Sequence, residues 1–89
     1  MSETGYKVTF YIAPPALGQE VKTKAERDEL VRSLAEIVRK AAGIPEDTPE
    51  WQWVRDGLHD GLRVRVQFSA EQLCRFFILR RAAGSGAVH

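Results

Sequence analysis

Residues 51–68 read WQWVRDGLHDGLRVRVQF, and the way this stretch pairs with itself decides the fold. Leu62, Val64, Val66 and Phe68 alternate strictly with Arg63, Arg65 and Gln67, the period of two expected of a strand that turns one face to a core. Trp51 and Trp53 also sit two apart. Between them lie Asp56-Gly57 and Asp60-Gly61, dipeptides of the kind that turn a hairpin. The stretch therefore predicts two antiparallel strands joined by DGLHDG. Trp51 and Trp53 would share one face as pieces of the core.

Working outward, Tyr6, Val8, Phe10 and Ile12 alternate with Lys7, Thr9 and Tyr11 and predict a first strand. The following Pro14, Pro15 and Gly18 take the chain out of the sheet. Thr23 and Glu26 have the spacing of a capping box, and Leu30, Leu34, Ile37, Val38 and Ala41 recur at threes and fours. Gly43 and Pro45 supply the stop, so a helix spans about 24 to 42. Ser69 and Gln72 repeat the box, with Phe68 and Leu73 placed as an apolar staple, and predict a second helix over about 70 to 82. The expected architecture is α+β, β-α-β-β-α: a three-stranded, mainly antiparallel sheet of order 1-3-2 with two helices on one face. It resembles the ferredoxin-like fold without its last strand. Residues 1–82 form the single domain, and 83–89, AGSGAVH, a flexible tail.

A chain of 89 residues buries only roughly 60% of the surface its unfolded form exposes. Its one cysteine, Cys74, cannot close an internal disulfide, so association with a partner is the expected extra source of burial. The start MSETGYK lacks the basic and apolar segments of a secretory signal, and no apolar run is long enough to span a bilayer. The expected compartment is the cytoplasm, with no membrane contact. Net charge is +1, but residues 1–61 hold eight basic against eleven acidic side chains, and residues 62–89 five against one. The two ends of the chain differ in sign.

Catalytic signals are sparse. His59 lies in the expected hairpin turn between Asp56 and Asp60, where a solvated position is the simpler reading, and His89 ends the chain. Neither has metal-ligand spacing to Cys74 or to a carboxylate, so neither a metal nor a cofactor is expected. Gly57 and Gly61 are not followed by a helix start that could hold a phosphate. Cys74, at an apolar helical position, reads as small buried packing.

The first strand followed by AERDELVRSLAEIVRKAAGIPED resembles the strand and helix of the small tautomerases, including the Gly-Ile-Pro ending, over about half the chain. That resemblance implies shared architecture and, as a third reading of function, a tautomerase-like enzyme. Those enzymes use an amino-terminal proline as base; here Ser2 follows Met1, so no catalytic residue carries over. The chain is expected not to be an enzyme. Lys7, Tyr11, Arg63 and Arg65 would share the solvent face of the sheet, a basic platform with one stacking ring. It is similar to the RNA-recognition fold, which stacks bases on its two central strands, and implies nucleic-acid binding as the alternative function. Strand three here offers arginines where that family places aromatics.

The strongest signal is Leu73–Arg81, LCRFFILRR, with six apolar side chains in nine positions. Leu73, Cys74, Phe76 and Phe77 form one sector that can dock on the sheet. Ile78 and Leu79 point away from it, on either side of Arg75. Leaving them in water forgoes roughly 1.5 to 3 kcal/mol each. The pattern predicts an interface built from Leu73, Arg75, Phe76, Ile78, Leu79, Arg80 and Arg81, the arginines reaching Glu29 and Glu36 of a second copy. The expected function is a small non-catalytic protein-protein interaction module, a homodimeric regulator or inhibitor of a larger protein.

Overall fold

The computed structural model describes residues 7–15, 17, 18 and 21–87. The elements are β1 (Val8–Ile12), α1 (Lys24–Ala42), α2 (Pro49–His59), β2 (Val64–Phe68) and α3 (Ala70–Ala87). The class is α+β, but the sheet has two strands and the helices number three among the described residues. The expected three-stranded sheet of order 1-3-2 with two helices is therefore corrected: the strand placed at Trp51 and Trp53 is part of α2.

The reason lies just upstream. Thr48, in extended conformation, accepts a hydrogen bond on its side chain from the Trp51 amide at 3.3 Å, and Pro49 sits at the first helical position, where its lacking N–H costs nothing. Trp51, Val54 and Leu58 then recur at three and four and are buried. On a helix, two residues apart means about 200° of rotation. Trp51 accordingly lies in the core while Trp53 is 58% exposed, against the expectation that both share a buried face. The Asp-Gly pairs do not close a hairpin: Gly57 is inside α2, and Gly61, at φ 81°, is in the turn that leaves it.

β1 and β2 pair antiparallel with Val8 opposite Phe68, Phe10 opposite Val66 and Ile12 opposite Val64. Thr9 and Tyr11 face Gln67 and Arg65 on the other side of the sheet. Along β2 burial alternates without a break, and Val64, Val66 and Phe68 join Val31, Ala35, Val38, Val54, Leu58 and Phe76 in one core. All three helices lie on that face. The opposite face is bare: Thr9, Tyr11, Arg63, Arg65 and Gln67 are exposed.

Both expected capping boxes form. In α1, Thr23 and Glu26 satisfy each other's backbone amides, and Gly43 closes the helix in the left-handed region at φ 70°. At α3, the Gln72 amide donates to Ser69 Oγ at 3.1 Å and the Ser69 amide to Gln72 Oε1 at 2.9 Å. Gln72 Nε2 also donates to the Ala42 carbonyl, tying the start of α3 to the end of α1. The backbone of α3 stays helical to Ala87 rather than ending at 82; alanines at 82 and 83 and the lack of proline let it continue, through Gly84 and Gly86, which disfavour a helix. On α1 the buried stripe is Val31, Ala35, Val38 and Ala41, one position round from the expected line. Leu34 and Ile37 are half-buried and Leu30 is largely exposed.

α2 lies so close to β2 that a Cβ on Gly57 would stand 2.7 Å from Val64 Cγ1. Only the missing side chain permits that approach.

Candidate interaction surface

Phe76 is fully buried. Its ring packs between Phe68 of β2, centroids 5.4 Å apart, and Phe10 of β1, 5.8 Å apart. Phe77, one residue on, meets Phe10 edge-on at 5.7 Å and Phe76 at 5.5 Å. Phe10 also meets Phe68 edge-on at 6.2 Å, so Phe76 and Phe10 both stand between Phe68 and Phe77. Phe77 therefore emerges on the β1 side of the sheet, 47% exposed, with Ile78 beside it at 66%.

The seven residues expected at the interface are now divided. Phe76 belongs to the core of the single chain, and Leu73 and Leu79 are half-buried against that core. Leu79 lies over α1 beside Ser33 and Ile37 rather than projecting outward. Ile78, Arg75, Arg80 and Arg81 are exposed as expected. Phe77, assigned in the sequence to the docked sector, is the residue the helical wheel missed. β1 is the last strand on that side among the described residues. Cys74 is exposed, not buried filler. It lines a shallow groove of about 430 Å³ with Phe77, Ile78, Arg81 and Ala82.

β1 meets the wall of this groove through the contact of Phe10 with Phe77. Among the described residues no backbone group pairs with the strand on its outer side. The strand VTFYI has no charge in it, and Val8 at its start is 44% exposed on the helix-facing side. Val8, Phe77 and Ile78 are thus exposed apolar side chains of β1 and α3.

Charge is distributed unevenly around it. Arg27, Arg32, Arg39 and Arg55 each pair with a carboxylate on α1, α2 or the turn between them. Arg27 also donates to the His59 carbonyl at 2.9 Å, at the end of α2, and Arg39 lies 5.7 Å over the Trp51 ring. No carboxylate of the described residues lies in ion-pair reach of Arg75, Arg80 or Arg81. Glu29 and Glu36, expected to receive them from a second copy, already hold Arg32 and Arg39 within α1.

On the bare face of the sheet, the Arg63 guanidinium stacks over the Tyr11 ring at 5.8 Å, and Arg65 is directly across the strand from Tyr11. Lys7, just before β1, is exposed. The four residues expected to form a basic platform are thus on one side of the molecule or at its margin. Tyr6, Ser2 and His89 lie outside the described residues, as does the amino terminus where the tautomerase resemblance would seek its base. His59 is exposed at the end of α2. Among the described residues no three His, Cys, Asp or Glu side chains converge as a metal site, and no helix is long and apolar enough to cross a membrane.

Compared with protein-family models, with curated proteins and with solved structures, the chain gives no match.

Proposed function

We propose that the chain is a non-catalytic protein-interaction module of the cytoplasm, a small regulator or inhibitor of a larger protein, which self-associates through the outer flank of α3 and the edge of β1. The observation that carries this reading is the exposure of Phe77 and Ile78, with Phe77 in ring contact with Phe10 of an uncharged strand whose outer side pairs with no described backbone. Covering one such side chain stabilises by roughly 1.5 to 3 kcal/mol, against a total of about 5 to 15 kcal/mol for a domain. A second molecule that covers both, and pairs the strand as well, is a favourable use of that surface. The rim of Arg75, Arg80 and Arg81 finds no carboxylate among the described residues, and the acidic residues of α1 are engaged at home, so the rim supports an acidic surface on the larger protein as its target.

Light scattering on a sizing column at micromolar concentration is expected to give about twice the chain mass. Ile78→Glu should return it to a monomer with unchanged circular dichroism, since Ile78 carries no core contact. A wild-type chain that stays monomeric into the hundred-micromolar range would remove the reading.

A second reading has an observation of its own. Tyr11 with Arg63 stacked on it and Arg65 alongside offers a ring and two guanidiniums to an unpaired base and its phosphates. It predicts single-stranded nucleic-acid binding whose affinity falls steeply with salt and whose salt slope shrinks in Arg63→Ala/Arg65→Ala. Binding that ignores both salt and these substitutions would dismiss it.

A further inference from the structure

We infer that the partner at the β1 edge is a second copy of the same strand, paired antiparallel about Phe10 so that two two-stranded sheets become one of four strands with all six helices on one side. The inference rests on the self-association proposed above and adds its register.

Three features select the occupant and the register. The first is the contrast between the two edges of the sheet. β1 presents VTFYI, with no charge and no proline, to its open side, whereas β2 carries Arg65 within it and Arg63 just before it. Folded proteins guard free strand edges with charge, and here only one edge is guarded. A copy of β1 brings no like charge against β1.

The second feature is parity. A twofold axis normal to the sheet keeps both helix layers on one side, and then inward residues must oppose inward residues. That restricts the centre of pairing to single residues of the strand. Centring on Phe10 sets Val8 opposite Ile12, Thr9 opposite Tyr11, and Phe10 opposite itself, using all five residues of β1. Centring on Tyr11 would bring Val8 against Pro14, which has no N–H to give, and centring on Thr9 would pair only Val8, Thr9 and Phe10 inside the strand, with Tyr11 set against Lys7 and Ile12 against position 6 beyond it. The register through Phe10 places Lys7 opposite Ala13 and stops before Pro14.

The third feature lies beneath the strand. Phe77 touches Phe10, the residue on the axis, from the side away from β2. The same rotation that joins the strands therefore carries Phe77 and Ile78 toward their own copies, covering the apolar flank in the same step. The strand edge contributes backbone hydrogen bonds and the helix flank contributes apolar burial.

The test is a directed cross-link. Thr9 and Tyr11 are exposed on the bare face, so replacing them leaves the core intact. Thr9→Cys/Cys74→Ser and Tyr11→Cys/Cys74→Ser chains, one of them tagged, are co-expressed, purified together and mildly oxidised. Directly opposed positions stand about 4.5 to 5.5 Å apart between Cα atoms, inside the range of about 4.4 to 6.8 Å that a disulfide spans. The expected product is a mixed disulfide joining one chain of each kind, several-fold more abundant than either like-with-like dimer. A dimeric mass by light scattering with no excess of the mixed product would overturn the register and leave self-association standing. A monomeric mass would end both.

Discussion

The corner where α1 meets α2 and the flank where α3 meets β1 are built from similar materials and finished differently. At the corner, Arg39 spans Glu36, the Ile44 carbonyl and the Trp51 ring, and Arg27 closes the last carbonyls of α2. On the flank, Phe77 and Ile78 stand open and three arginines lack partners among the described residues. A chain able to satisfy its polar and apolar groups so fully on one side does not leave the other unfinished for want of suitable residues. The difference is what supports the contact proposed above.

Substitutions two positions apart on α3 should break that contrast most sharply. Phe76→Ala removes a fully buried ring that touches Phe10 and Phe68 and should cost about 3 to 5 kcal/mol in urea unfolding, enough to leave much of a small domain unfolded. Ile78→Ala should leave unfolding of the monomer unchanged within about 0.5 kcal/mol while weakening the dimer measured by dilution. Equal losses at the two positions would mean that the flank is core after all.

The arginines allow the next comparison. Arg39→Ala loses an ion pair, a carbonyl and a cation–π contact in a largely covered setting and should lower stability by about 1 to 2 kcal/mol. Arg81→Ala should fall within about 0.5 kcal/mol of wild type, its effect confined to partner binding. An effect between those two is expected at the packing of α2 on β2. Gly57→Ala gains up to about 1 kcal/mol of helix propensity but forces a methyl against the stiff Val64 side chain, an overpacking cost of roughly 1 to 3 kcal/mol. The net result should be a destabilisation of about 1 kcal/mol in thermal or urea unfolding, relieved in the Gly57→Ala/Val64→Ala double variant relative to the sum of the single changes.

Legibility followed the length of the signal. α1 was readable because its capping box, apolar recurrence and glycine stop agree over nineteen residues. β2 and the start of α3 were readable because strict alternation runs straight into a second box with its staple. Residues 51–53 defeated the reading because WQW supplies a single repeat, too short to separate a period of 2 from one of 3.6, and the neighbouring Asp-Gly pairs tipped it toward a hairpin. The helical signal was nevertheless present in Thr48, Pro49 and the spacing of Trp51, Val54 and Leu58. The surplus of apolar surface on the last helix was visible in LCRFFILRR, but which residues carry it was not. Leu79 is half-buried over α1, and Phe77 stands on the β1 side, where the sheet ends in the expected order and in the observed one alike.

The unlike edges of the sheet also set how far assembly can run. A strand pair with two sticky margins would recruit copy after copy and grow as a filament. In the dimer proposed above, growth through β1 would use up the uncharged margin of each molecule, and what would remain outermost on both sides is β2 with its guanidinium groups. Such an object would stop at two chains. Neutralising those outer arginines, rather than disturbing the join, is the change that would set it growing.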